Sequence, residues 1–301
     1  MHYCGFPWPL LTASGLYLCT RHRGFNRKDM CVSAPGVRQK AYPMPILNNV
    51  GISTNTPTKQ QDFRSVLSLH LKITQAVLNK HQWTDDTYYY FDLTAGPGKY
   101  TDGKTCIVGS PLIFLNLTYK MKRHALMVEK NFENYLSLSS YAKTADCRYG
   151  DSRLILPNWL QTESHKQDDG VKYGLCYVDP TGDPPPFEML ADASHHNQFT
   201  RIDILMYLSA TNIKRWRMNP KLSYNTSLID ALCNIDKKHW IIREPKSQHQ
   251  WTFLLGTNWN AFPPYKNRGF HRVRSKQGQE ILRKLNFTAE ENNGQTSLPL
   301  I

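Results

Sequence analysis

Seven short apolar runs punctuate the chain, at the spacing of strands that alternate with helices. They are Tyr89–Asp92, Ala125–Glu129, Cys147–Asp151, Tyr173–Asp179, Arg201–Ser209, His239–Arg243 and Trp251–Leu255. Arg201–Ser209 is apolar almost throughout, as a strand covered on both faces must be. The last two runs are separated only by Glu244–Gln250, which is too short for a crossover helix, so they are expected to pair antiparallel. Arg64–His81 places Val66, Leu67, Leu69, Ile73, Val77 and Leu78 at helical spacing ahead of the first strand. Ser110-Pro111 is a cap followed by a first-turn proline and predicts a helix through Lys120. Ser275 is suited to cap a last helix through Asn286. The pattern predicts an α/β fold with a doubly wound, mostly parallel seven-stranded sheet that closes in an antiparallel C-terminal hairpin.

The first four runs each end in an acid: Asp92, Glu129, Asp151 and Asp179. Ligands of open α/β sheets bind outside the carboxyl ends of the strands. Asp92-Leu-Thr-Ala-Gly-Pro-Gly98 continues the first run into a turn where Ala95, Gly96 and Gly98 let the backbone approach a ligand. The turn lacks the Gly-x-Gly-x-x-Gly dinucleotide fingerprint. It is the kind that holds S-adenosylmethionine in Rossmann-like methyltransferases, although taken alone a Gly-x-Gly turn also fits a plain tight loop. Glu129 then suits a ribose hydroxyl and Asp151 the adenine edge. The competing role for each acid is to cap the helix that follows.

Asp179-Pro-Thr-Gly182 is the candidate reaction loop. In amino-methylating enzymes an Asp-Pro-Pro-aromatic loop orients the target amine and stacks a flipped base. Here Thr181 and Gly182 replace the second proline and the aromatic, and Phe187 is the ring available from further along. The expected catalytic set is Asp179, Pro180 and Phe187, with an inward-packed Phe187 as the alternative.

Asp92-Leu-Thr-Ala-Gly-Pro-Gly-Lys-Tyr-Thr-Asp-Gly103, Gly109-Ser-Pro-Leu112, Asp179-Pro-Thr-Gly182 and Ile202-Asp-Ile-Leu205 together resemble the three-Cys-motif partner proteins. The resemblance spans roughly residues 64–287. It implies a divergent Rossmann-like fold of the class I methyltransferase type and, as partner, a three-cysteine-motif protein of the kind typically encoded beside members of that family; it fixes the fold better than the reaction.

Charge adds a second theme. The net charge is +13. Residues 1–60 hold seven Lys/Arg against one acid, and residues 241–301 hold nine against four. Lys266, Arg268, His271, Arg272, Arg274 and Lys276 form a basic run interleaved with Tyr265 and Phe270, suited to phosphate contact and ring stacking, or else to a solvated loop. Arg215, Trp216, Arg217 and Lys221 form a second patch. Residues 1–60, with Cys4, Cys19 and Cys31, are expected to lie outside the domain at 61–290, with Met44 as an internal start and 291–301 as a tail. The cysteine spacings match no zinc pattern, and the adjacent pair His195-His196 does not converge on a shared metal. Cys176 is expected to be a buried small hydrophobe. There is no phosphate-binding Gly-x-x-x-x-Gly-Lys, no His-Glu-x-x-His and no Gly-x-Ser-x-Gly.

The expectation is a cytoplasmic S-adenosylmethionine-dependent methyltransferase acting on nucleic acid. Asp92, Ala95, Gly96, Gly98, Glu129 and Asp151 would hold the cofactor, and Lys266, Arg268, Arg272, Arg274 and Lys276 the nucleic acid. The rival is a non-catalytic fold of the same type that binds a three-cysteine-motif protein or nucleic acid.

Overall fold

The computed structural model describes residues 56–81, 86–101, 106–164, 172–180, 182–218, 227–245, 251–260 and 262–285. In chain order these form α1 (Thr56–His81), β1 (Tyr88–Asp92), β2 (Lys99–Thr101), β3 (Cys106–Val108), α2 (Ser110–Leu117), β4 (Arg123–Glu129), α3 (Phe132–Tyr141) and β5 (Asp146–Tyr149). There follow α4 (Ser152–Ser164), β6 (Tyr173–Val178), α5 (Phe187–Ser194), β7 (Ile202–Ser209), α6 (Ala210–Arg217) and α7 (Leu228–Cys233). The chain ends in β8 (His239–Arg243), β9 (Trp251–Thr257), α8 (Phe262–Lys266), β10 (Phe270–Arg272) and α9 (Lys276–Lys284).

Among the described residues the main sheet has eight strands in the order β10-β8-β9-β7-β6-β1-β4-β5, and β2 and β3 pair separately as a small antiparallel sheet. The five strands from β7 to β5 are parallel to one another. β9 is antiparallel to both β7 and β8, as the short link between the last two runs predicts. The seven-strand expectation is one short: β10 adds antiparallel to β8 and forms the edge. It lies within the basic run, which therefore does not lie wholly beyond the last strand.

The alternation of side chains in each central strand feeds two cores. Phe91, Cys176, Val178, Ile204 and Met206 face α4, α5, α7 and α9. Tyr90, Leu175, Tyr177 and Leu205 face α1 and α2. The expected burial of Cys176 holds, and burial pushes its thiol well above the usual range.

α1 begins at Thr56, eight residues before the apolar spacing predicts, so the expected boundary at residue 60 falls inside it. Buried polar contacts hold α1 across the sheet. Arg243 of β8 lies 2.8 Å from Asp62. His70 meets Asp203 of β7 at 3.1 Å and the Tyr88 hydroxyl of β1 at 2.8 Å. These fix the helix so that its first turn overhangs the carboxyl ends of the parallel strands. No described helix is long and apolar enough to cross a membrane. Residues 1–55, including Met44 and three cysteines, and residues 286–301 lie outside the described residues.

Candidate functional site

The strand order fixes where a site can form. From β1 the chain moves outward to β4 and β5, then returns to β6 and β7 on the other side of β1. The crossover loops therefore diverge above β1 and β6 and leave a crevice at their carboxyl ends. A cleft of about 510 Å³ occupies that position. This is within the usual range for small-molecule sites.

The loop after β1 forms its floor, pinned by backbone bonds from Leu93 to Tyr177 O (3.0 Å) and from Ala95 to Val128 O (2.9 Å). Gly96 has φ +65°, and a Cβ there would sit 2.3 Å from the Tyr100 hydroxyl, so only glycine fits this turn. Gly96 N–H donates to Glu129 Oε2 at 2.7 Å, and Asn131 N–H donates to Oε1 at 2.7 Å. Glu129 thus locks the first loop to the second and still lines the cleft. Asp151 also lines it, exposed, with Oδ1 accepting from Arg153 N–H at 2.9 Å. The capping alternative for Asp151 is met alongside its place in the cleft.

Asp179 enters from β6. Its N–H donates to Thr94 Oγ1 at 2.7 Å, and its Oδ2 takes the Lys59 ammonium at 2.7 Å. The Lys59 ammonium also lies 4.7 Å from the centre of the Tyr207 ring. Asp179 Oδ1 is buried and has no hydrogen-bond partner among the described residues. A buried carboxylate oxygen left in that state costs free energy that a donor on a ligand would recover. Pro180 lines the cleft beside it, and its carbonyl accepts from the Asn212 side chain. Thr181 lies outside the described residues.

The structure thus brings Gly96, Glu129, Asp151, Asp179 and Pro180 to one cleft. It does not bring the other expected residues there. Asp92 is fully buried beneath the floor, where it accepts from the Tyr90 hydroxyl at 3.0 Å and the Thr94 N–H at 3.4 Å. Burial raises its pKa to about 7, against opposing hydrogen bonds from Ser110 and Tyr90. Its work is to fasten the turn to α2, with no face toward a ligand. Ala95 and Gly98 lie behind the loop; Gly98 O accepts from Gly109 N–H at 2.8 Å, and a Cβ on Gly98 would face Leu138 and Leu112. Phe187 is 4% exposed and packs edge-on against Trp216 at 5.1 Å, so its ring is core and does not stack a base.

Lys59, Gln60 and Tyr100 line the cleft and were not anticipated. Lys59 sits where sequence composition points to an extension, and only the helical register of α1, with Phe63 and Val66 buried, would have drawn it in. Counting ionisable lining residues, five carboxylates (Glu129, Glu133, Asp151, Asp179, Asp183) face three cations (Lys59, Lys130, Arg153). The cleft is acidic in a basic protein, which favours a cationic ligand.

The basic run is divided. Tyr265 and Phe270 are buried against each other, ring centres 5.5 Å apart, so neither is free to stack a base. Lys266, Arg268, Arg272, Arg274 and Lys276 are exposed. Arg268 bonds Ser65 of α1 at 2.7 Å, whereas Arg272, at the far end of β10, bonds Asn260 at 3.0 Å. In the second patch Trp216 is buried, Arg215 donates to Gly182 O at 2.7 Å, and Lys221 lies outside the described residues.

No family model matches the chain, and no curated protein matches it. Among solved structures, protein LPL1258 from Legionella pneumophila, family DUF519, is similar with a TM-score of 0.43 and 13% identity, over 67% of this chain and 88% of that one.

Proposed function

We propose that the cleft binds S-adenosylmethionine and that the protein is a methyltransferase of Rossmann-like, class I type whose acceptor is nucleic acid. The observation that carries this is the convergence of Gly96, Glu129, Asp151 and Asp179, from four separate loops, on one acidic cleft at the switch in strand order. The residues present fit the cofactor. Gly96 shapes the turn that forms the floor, Glu129 is held rigid by two backbone N–H groups, and the excess of carboxylates suits a sulfonium and an amine. Bound there, S-adenosylmethionine supplies an electrophilic methyl group. Glu129 would accept from ribose hydroxyls and Asp151 from the adenine edge. Asp179 Oδ1, which lacks a donor among the described residues, would accept from the amine to be methylated and so hold its lone pair in line. Asp179 would then be the carboxylate beside that amine, with Lys59 paired to its other oxygen.

The net charge of +13 and the exposed cations Lys266, Arg268, Arg272, Arg274 and Lys276 support a polyanionic acceptor. The resemblance to three-Cys-motif partner proteins adds a three-cysteine-motif protein as a second partner. Two observations favour the non-catalytic rival: Lys59 already occupies one oxygen of Asp179, and Phe187 is packed away from the cleft.

Calorimetry with S-adenosylmethionine, followed by transfer of a labelled methyl group to a pool of DNA, RNA and protein, separates the two. Binding with label in nucleic acid supports the enzyme. Absence of binding supports the rival, and label in protein alone removes the nucleic-acid acceptor.

A further inference from the structure

A second concavity lies at the opposite end of the sheet from the cleft. β9 is antiparallel to both β7 and β8, so β8 begins at the end where the parallel strands begin. Beside that start opens a cavity of about 390 Å³. Its polar and aromatic lining comes from three stretches: Cys233 at the end of α7, Lys238, His239 and Trp240 at the entry to β8, and Arg272 and Arg274 around the exit of β10. Among the described residues no carboxylate lines it. Asp230, on the neighbouring helix, is turned to its own cap, where it bonds Ser227.

The floor is built for a flat ligand. The Trp240 indole lies on Gly256 of β9, where a Cβ would sit 2.5 Å from the ring. Absence of a side chain at Gly256 lets the ring lie against the sheet, and Trp240 lines the cavity. The Trp240 Nε1–H is buried and has no acceptor among the described residues. The walls are cationic. Arg272 is steadied by Asn260 at 3.0 Å and by the Phe262 ring, 4.7 Å from its guanidinium carbon. Arg274 extends to Cys233 Sγ at 3.8 Å. Lys237 is already committed, donating to the carbonyls of Phe199 and Thr200, and serves the frame of the cavity. Planar guanidinium groups beside an ammonium, with no acid to neutralise them, match the oxygen fork of a phosphate. An aromatic floor beside such cations matches a base.

We propose that this cavity binds a nucleotide through its phosphate, with Arg272, Arg274 and Lys238 on the phosphate oxygens and the Trp240 indole beneath the base. The nucleotide is either free or one residue of a single strand. The cavity and the cleft share no lining residue, so binding here is separate from cofactor binding, while Arg272 and Arg274 also belong to the cations that support a polyanionic acceptor.

The test titrates the full-length protein with inorganic phosphate, adenosine monophosphate and a short single-stranded oligonucleotide at low salt. Arg272→Gln/Arg274→Gln changes two exposed side chains and leaves the core intact, so it folds. Its affinity for the nucleotide probe should fall roughly ten- to a hundredfold, as expected when charge-assisted hydrogen bonds are removed. The log–log salt slope for the oligonucleotide should flatten by about 0.7, for the one phosphate no longer neutralised. Trp240→Leu should weaken nucleotide binding and leave phosphate binding unchanged. Equal affinity for mononucleotide and oligonucleotide assigns a free ligand, and binding of the oligonucleotide alone assigns a strand. The proposal is overturned if neither nucleotide probe binds, if the double variant binds as the parent does, or if phosphate binds as tightly as the nucleotides. S-adenosylmethionine affinity, measured on the same samples, should not change in either variant. A failure at the cleft therefore remains distinct from a failure here.

Discussion

The Lys59 ammonium stands 2.7 Å from Asp179 Oδ2, joining the first turn of α1 to the end of β6 across 120 residues of sequence. Both side chains are nearly buried, at 13% and 11% exposure. The pair leaves the second oxygen of Asp179 without a donor among the described residues. It makes the first helix part of the cleft wall.

Replacing Lys59 by Met should destabilise the protein by about 1–3 kcal/mol, because a buried carboxylate loses its counter-charge. Lys59→Met/Asp179→Asn should recover part of that loss, since no unpaired charge remains. Urea midpoints of the two single variants and the double variant give the coupling directly. Strict additivity would show that the two groups do not interact in solution.

A protein that starts at residue 61 lacks Thr56, Lys59 and Gln60, all of which line the cleft. Compared with one that starts at residue 45, it should melt lower and bind S-adenosylmethionine more weakly. Identical melting and binding would place the start of α1 outside the working cleft.

Glu129 accepts backbone N–H groups from Gly96 and Asn131. Glu129→Ala should therefore weaken S-adenosylmethionine binding by about 1–3 kcal/mol and lower stability as well. Glu129→Gln keeps one carbonyl acceptor and should lose less stability than Glu129→Ala. Calorimetry and thermal melts on both variants check this, and unchanged cofactor affinity in Glu129→Ala would remove Glu129 from the site.

Asp92 has its pKa raised to about 7 in the folded protein by burial. A raised carboxyl pKa means that the folded state holds the proton more tightly than the unfolded chain. The stabilisation is thus complete below the ordinary carboxyl range, near pH 4, and is lost as pH rises to about 7. The scale is on the order of 4 kcal/mol. Asp92→Asn cannot ionise, so it should gain stability relative to the parent between pH 4 and pH 8. Parallel stability curves for the two proteins across that range would contradict the assignment.

Much of the architecture was legible in the chain. β6 and β7 are apolar runs because both faces of a central strand are covered, and that pattern needs no partner to be recognised. Four of the residues that line the cleft, Gly96, Glu129, Asp151 and Asp179, were visible as turn and strand-end residues, since a parallel sheet sends every carboxyl end to the same side. The antiparallel pairing of β8 and β9 follows from the length of the link between them.

What the sequence could not decide were matters of partner and direction. Asp92 ends its strand as the other acids do, but it is buried beneath the floor because Tyr90, Thr94 and Ser110 surround it. Phe187 follows a loop that suits a reaction site, yet its ring meets Trp216, and burying an aromatic pair outweighs exposing one. Three residues, Phe270–Arg272, are too few to show a period, so β10 was invisible, and with it the division of the basic run between two ends of the sheet. Lys59 was one cation in a charged segment until the buried contacts of Asp62 and His70 laid α1 across the sheet. The sequence by itself determined the strands, the turn and the acids, because these depend on local pattern and on the common direction of parallel strands. Which side chains face the cleft, which face the core and which pair with one another was decided only by tertiary packing, because those choices depend on neighbours brought together from distant parts of the chain.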